Sequence, residues 1–124
     1  MTLAMAHTAT HTTSREMQQC IDECTRCHAI CLETAHHCLH LGGRHADPHH
    51  VGLLLDCAEI CQTSANFMLR GSDQSGHTCA ACAEICRACE ASCRSIGDDE
   101  MMRKCADACR SCAESCTRMA GMTH

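Results

Sequence analysis

Cysteine spacing carries the chemistry of this chain. Cys105, Cys109, Cys112 and Cys116 step by 4, 3 and 4 residues. At about 100° per residue those positions fall near 0°, 40°, −20° and 20° on a helix, one wedge roughly 60° wide. The same step recurs at Cys20, Cys24, Cys27 and Cys31, and again at Cys82, Cys86, Cys89 and Cys93. A further copy opens with Cys57 and Cys61, then carries Ser64 and Met68 where the next two cysteines would stand. Cys38 and Cys79 extend two of the stripes, which brings the total to 16 in 124 residues.

Such a pattern exceeds what cysteine does as a small buried hydrophobe. Disulfides fit poorly: thiols at i and i+4 on one helix lack the usual bridge geometry, and stapled scaffolds tend to be small, secreted and loop-rich. Metal binding fits the spacing. Neighbours at i and i+4 have Cβ atoms about 5–6 Å apart. An ion held linearly by two thiolates at about 2.3 Å each needs sulfurs about 4.6 Å apart. Soft thiolates select Cu(I), zinc and iron–sulfur clusters, and Cu(I) readily accepts two ligands. Iron–sulfur ligation is usually built on loops rather than continuous helices. Charge favours copper further. Four tetrahedral zinc sites would leave roughly eight uncompensated negative charges in the interior, whereas about one Cu(I) per bridging thiolate leaves it near neutral. Zinc or mixed soft-metal sequestration stays open as the alternative.

Enzymatic readings find less support, and the chain is expected not to be an enzyme. Glu33-Thr34-Ala35-His36 matches the Glu-x-x-His of di-iron bundles, but a second copy and two more inward glutamates are missing, so a surface pair is the expectation. Cys-x-x-Cys spacings such as Cys24/Cys27, Cys79/Cys82, Cys86/Cys89 and Cys109/Cys112 suggest a thiol oxidoreductase, yet no βαβ pattern accompanies them. Nucleophilic catalysis needs one distinctive thiol beside a base, and the sequence singles out none. A disulfide-stapled helical interaction module is the remaining competitor, and a thiol count on protein purified without oxygen separates it.

Four helices must position these stripes. Thr13 and Glu16 offer a capping box ahead of a helix from about Arg15 to Leu41, stopped by Gly42-Gly43. Asp47-Pro48 opens a second helix that runs to about Arg70. A linker from Gly71 to Gly76 precedes the third, which stops at Gly97, and Asp98-Asp99 caps a fourth that ends near Gly121. The expected fold is all-α, an antiparallel up-down-up-down four-helix bundle with a cysteine-lined core. Residues 1–14 read as a flexible N-terminal arm, 15–121 as a single bundle domain and 122–124 as a tail. Ile30, Ile60 and Ile85 each precede a stripe cysteine and can seal the helix seams.

Composition narrows the partners. Leu, Ile, Val and Phe together number 15, too few for an ordinary core, so sulfur must line the interior. Net charge is −5 with no Trp or Tyr and one Phe, which argues against nucleic-acid binding. No run reaches the roughly 18 apolar residues of a membrane span. The start, from Met1 to His7, lacks a signal-peptide pattern, so a cytoplasmic location with reduced thiols is expected.

The two ends of such a bundle differ. One face collects His36, His37, His40, His45, His49 and His50 with Met101 and Met102; the other gathers Met17, Met68 and Met119 near His77. His50 lies one heptad before Cys57, and Met101 and Met102 precede Cys105 by four and three residues. Those three residues are the candidates for admitting metal. His28 falls off the stripe and reads as surface.

With three complete 4-3-4 repeats and the Cys57/Cys61 pair, residues 15–120 resemble the cysteine-rich four-helix-bundle copper storage proteins of the cytosolic type. The resemblance implies a lumen filled with many thiolate-bound Cu(I) ions, assembly as a homotetramer, and a copper acceptor or chaperone that the sequence does not identify. It also implies a ligand role for the Cys-x-x-x-Cys pairs Cys20/Cys24, Cys27/Cys31, Cys57/Cys61, Cys82/Cys86, Cys89/Cys93, Cys105/Cys109 and Cys112/Cys116, with Cys38 and Cys79 completing sites between helices. One departure stands out: relatives often carry histidines entering the last helix, where this chain has Asp98-Asp99-Glu100-Met101-Met102.

Overall fold

The structure, a computed structural model, describes residues 14–122. Four helices follow one another: α1 (Arg15–Leu41), α2 (Pro48–Leu69), α3 (Ser75–Ile96) and α4 (Glu100–Met122). There is no strand among the described residues. A single 3-10 turn, Gly43–Ala46, bridges α1 and α2.

Capping explains most of the boundaries. Thr13, the expected first member of a capping box, lies outside the described residues. Ser14 is the N-cap instead, its hydroxyl accepting the Met17 N–H at 3.0 Å. At the other end of α1, Gly42 and Gly43 adopt φ of +73° and +59°, and the Gly42 N–H reaches back to the Cys38 carbonyl at 3.1 Å. The Asp47 carboxylate accepts the His50 N–H at 3.2 Å and Pro48 takes the first position of α2. Helix α3 begins earlier than the linker Gly71–Gly76 predicts. Ser75 is buried and its hydroxyl donates to the Ser72 carbonyl at 2.9 Å, closing the turn so that Ser75 and Gly76 enter the helix. Of the two aspartates ahead of α4, Asp99 provides the cap, its carboxylate accepting the Met102 N–H. Helix α4 extends one residue past the expected Gly121.

Each helix packs along two others, α1 and α3 both lying between α2 and α4, which gives an antiparallel bundle closed on itself. All sixteen cysteines are fully buried. Alanines flank them at positions such as Ala58, Ala65, Ala106 and Ala113, all buried, and these small side chains let the backbones approach while sulfur fills the space between. Ile30 is buried and Ile60 and Ile85 pack half-buried against the same core, as expected of seam residues. His28 is not merely surface. Its Nδ1 lies 2.7 Å from the Ala58 carbonyl, a hydrogen bond tying α1 to α2 that an off-stripe position conceals.

Candidate metal centre

The stripes converge into one continuous column of thiols. Cys20 Sγ lies 3.6 Å from Cys116 and Cys24 lies 3.5 Å from the same atom. Further along, Cys27 approaches Cys57 and Cys109 at 3.9 and 3.8 Å, and Cys31 approaches Cys105 at 3.9 Å. Across α2 and α3, Cys57 meets Cys86 at 3.5 Å and Cys61 meets Cys82 at 3.7 Å. Within a helix, the i,i+4 pairs Cys27/Cys31, Cys57/Cys61 and Cys82/Cys86 are 3.9, 4.0 and 3.8 Å apart. These separations are shorter than the expected linear geometry. They match the roughly 4.0 Å that three sulfurs about 2.3 Å from one ion would show, so a two-ligand ion would have to part its pair slightly.

Several sets of four thiols have all their sulfurs within 4.8 Å of one another: Cys24/Cys82/Cys112/Cys116, Cys27/Cys31/Cys57/Cys109, Cys27/Cys57/Cys61/Cys86, Cys31/Cys89/Cys105/Cys109 and Cys61/Cys82/Cys86/Cys112. These sets overlap. Cys27, Cys31, Cys57, Cys61, Cys82, Cys86, Cys109 and Cys112 each belong to two of them, so one sulfur is placed to serve two neighbouring ions, while Cys24/Cys82/Cys112/Cys116, Cys27/Cys57/Cys61/Cys86 and Cys31/Cys89/Cys105/Cys109 share no residue.

Electrostatics point the same way. Hydrogen bonds with Cys109 hold Cys27 and Cys57 down, while Cys109 itself is pushed up by Cys105 and Cys27. A first thiolate is therefore sheltered by adjacent S–H groups, and those neighbours then resist losing their own protons. Burial without countercharge keeps most of the column protonated. A monovalent ion that replaces one proton leaves the interior charge unchanged.

Not every lumen position is sulfur. Continuing the 4-3 step on α1 leads from Cys31 through Thr34 to Cys38, and on α2 from His50 through Leu54 to Cys57. Thr34, Leu54 and Ser64 are fully buried, as is Met68. Ser64 Oγ lies 3.3 Å from Cys79 Sγ, which also donates to Met68 Sδ at 3.8 Å. Met119 is buried and Met17 packs half-buried at that end, while His77 is exposed.

The histidine end separates the three candidates for admitting metal. His50 is buried and Met102 is buried, and both meet Cys38: His50 Nε2 at 3.4 Å and Met102 Sδ at 3.6 Å. Met101 does not join them. One residue along α4 turns it about 100° away, into an open outer groove with Glu33, His36, His37 and His40. Cys38 thus stands apart from the other thiols, against the expectation that none is distinctive. Burial pushes its thiol up to about 11. Burial also lowers His50, which keeps the imidazole neutral and its lone pair free.

Two supporting residues escaped the sequence reading. Ser92 Oγ lies 2.7 Å from His50 Nδ1, and Asp99 spans His37 Nε2 at 3.0 Å and His45 Nε2 at 3.2 Å. Ser92 is adjacent to stripe residue Cys93, which is the signal that could have found it. Asp99 read only as a cap, and its second role depends on the 3-10 turn bringing His45 beside His37.

Known proteins share this arrangement. The sequence profile of the copper storage protein family matches residues 13–121. The structure of the Nmul_A1745 protein from Nitrosospira multiformis is 49% identical, covering 89% of this chain and 99% of its own, with a TM-score of 0.83. The Cu(I)-bound copper storage protein BsCsp3 of Bacillus subtilis is 33% identical over 86% of this chain and 99% of its own, with a TM-score of 0.80. A cytosolic copper storage protein from Streptomyces lividans, solved with five coppers, is 32% identical over 86% of this chain and 92% of its own, with a TM-score of 0.73. Its family match spans nearly the whole bundle and the sulfur column is intact within it: this chain belongs to the copper storage protein family.

Proposed function

We propose that this chain stores Cu(I), holding many ions, roughly one per cysteine, on the thiolates of all sixteen cysteines within the bundle. The observation that carries this reading is the overlap of the four-thiol sets, in which single sulfurs such as Cys27 and Cys61 belong to two sets at once. Bridging thiolates suit an ion of low coordination number and single charge. Each Cu(I) displaces one proton from an S–H group and leaves the buried column neutral. The relatives solved with Cu(I) and with ten copper equivalents support the choice of ion.

His50 and Met102 are proposed to admit the metal, with Met101 in the outer groove serving a less direct part. No catalytic role is assigned: all sixteen thiols are fully buried, whereas an oxidoreductase needs an accessible thiolate. No helix among the described residues is long and apolar enough to cross a membrane. A cytoplasmic location is proposed by likeness to the Streptomyces lividans protein. Assembly as a homotetramer is proposed as well, supported by apolar surface at Leu32 and Leu55, which remain 45% and 46% exposed on the α1–α2 face. Sedimentation at micromolar concentration checks that assembly. The ion is tested by competition. Reduced protein given equal Cu(I) and Zn(II) without oxygen should retain copper alone; retention of about four zinc ions per chain would favour the tetrahedral alternative.

A further inference from the structure

Thr34 interrupts the α1 stripe with an oxygen. It stands three residues after Cys31 and four before Cys38, so the helix turns it into the same wedge as those thiols. Its side chain is fully buried, and Oγ1 has no hydrogen-bond partner. That state is avoidable. A helical threonine can donate to a carbonyl one turn back, and Thr25, Thr78 and Thr117 do so, onto Ile21, Ser75 and Ala113 at 2.8, 3.0 and 2.8 Å. The buried serines are satisfied too. Ser75 and Ser115 bond backbone carbonyls, and Ser64 Oγ lies 3.3 Å from Cys79 Sγ. Among the buried hydroxyls of the described residues, Thr34 alone is left without an acceptor.

Sulfur is continuous at its level. Against α4, Thr34 falls between the rung of Cys31 and Cys105 at 3.9 Å and the rung of Cys38 and Met102 at 3.6 Å. Cys89 and Cys93 of α3 both hydrogen-bond with Cys105, and the sulfurs of Cys31, Cys89, Cys105 and Cys109 all lie within 4.8 Å of one another. Helical side chains lean towards the N-terminus, which carries Thr34 towards that group. In the metal-free chain these sulfurs are S–H groups, weak acceptors already engaged with one another. Copper changes their character. Each Cu(I) displaces the proton of one thiol, and the thiolate left behind is a far better acceptor. A hydroxyl that is idle in the empty lumen then has somewhere to donate.

We propose that the Thr34 hydroxyl donates a hydrogen bond to a copper-bound thiolate of the Cys31/Cys89/Cys105 group and so tightens the hold on copper at that level. This rests on the storage reading and deepens it, because it names a residue without sulfur that favours the loaded lumen over the empty one. Thr34 is a positioning residue: it touches a ligand sulfur and not the ion. No proton leaves the hydroxyl. The proton displaced by Cu(I) comes from the thiol and passes to solvent, while Oγ1 keeps its own. The desolvation cost of the buried hydroxyl is carried by the empty protein and offset in the loaded one.

Two substitutions, Thr34→Val and Thr34→Ser, separate this bond from packing. The reduced native chain and both variants are loaded with Cu(I) to saturation without oxygen, then equilibrated against a chromophoric Cu(I) chelator. Thr34→Val keeps the branched shape and should give up about one equivalent of copper at a chelator excess about fivefold lower than the native chain needs, the effect of losing one hydrogen bond, with total capacity unchanged. Thr34→Ser restores the hydroxyl and should retain copper as the native chain does. Denaturation of the metal-free proteins supplies the second readout. There Thr34→Val should be the more stable, so one substitution strengthens the empty bundle and weakens the loaded one, whereas a packing defect would weaken both. Retention by Thr34→Val equal to native, or retention by Thr34→Ser as weak as by Thr34→Val, would overturn the hydrogen bond while leaving storage intact. Saturation of the native chain at only a few ions would instead remove the storage reading, and this inference with it.

Discussion

Ser92 on α3 holds His50 Nδ1 at 2.7 Å, and this contact directs the opposite nitrogen at the Cys38 thiol 3.4 Å away. A ring nitrogen that donates to a hydroxyl leaves the other as the lone pair, the tautomer a metal requires. Replacing Ser92 with alanine is expected to slow Cu(I) transfer several-fold with little change in capacity, because the store does not use this contact. Ser92→Thr, which restores the hydroxyl, should recover the rate. Stopped-flow transfer and equilibrium titration on the same variants separate the two quantities. A fall in capacity without a change in rate would contradict this role.

Thr34 offers a stability measurement. Its buried hydroxyl makes no hydrogen bond, so it carries desolvation cost without return. Thr34→Val keeps the branched shape and removes the oxygen. The reduced, metal-free variant should be more stable by about 1 kcal/mol, seen as a higher denaturation midpoint. A lower midpoint would mean that the hydroxyl has a partner in solution.

Asp99 gives a pH dependence. Burial works against its charged form, but hydrogen bonds from His45 and His37 outweigh that and lower it below the usual carboxylate value. A carboxylate depressed on folding adds stability above its unfolded value and loses it as pH falls through its folded one. The Asp99 side chain is 38% exposed, so solvent screening keeps the effect small, well under 1 kcal/mol. Asp99→Asn should therefore melt slightly lower than the native chain at pH 7. The difference should vanish as pH falls through the folded carboxyl's lowered value, where the native side chain protonates too. A difference that persists there would assign the loss to the cap geometry rather than to charge.

Helicity should precede metal. Four helices with side-chain or glycine caps enclose a core of neutral thiols that behave as small hydrophobes. Circular dichroism of the reduced, metal-free chain should show high helix content, changing little as copper is added. A coil spectrum that becomes helical only with metal would make this chain resemble a zinc finger instead.

The cysteine stripe made most of this architecture legible. A 4-3-4 step can occupy one wedge only on a helix, and four such wedges can be buried only against one another. Gly42 and Gly71 marked helix ends because their positive φ suits little else, and Gly97 marked the end of α3 in an extended conformation. The residues that misled were those whose roles depend on a neighbouring helix. Met101 and Met102 look alike in sequence, yet one turn-angle of α4 sends the first to an outer groove and the second to Cys38. His28 seemed idle until α2 placed the Ala58 carbonyl beside it. Thr34 was hidden for another reason: it occupies a stripe position with a residue type that draws no notice, and only its burial and missing partner reveal it.

The most direct measurement is an anaerobic titration of the reduced chain with Cu(I) against a competing chromophoric ligand. Sixteen buried thiols in overlapping sets and a column that stays neutral only when each thiolate meets one monovalent ion predict saturation near one Cu(I) per cysteine, on the order of 16 per chain. Saturation near four ions would contradict the account, because it would mean separate tetrahedral sites in place of a shared sulfur column.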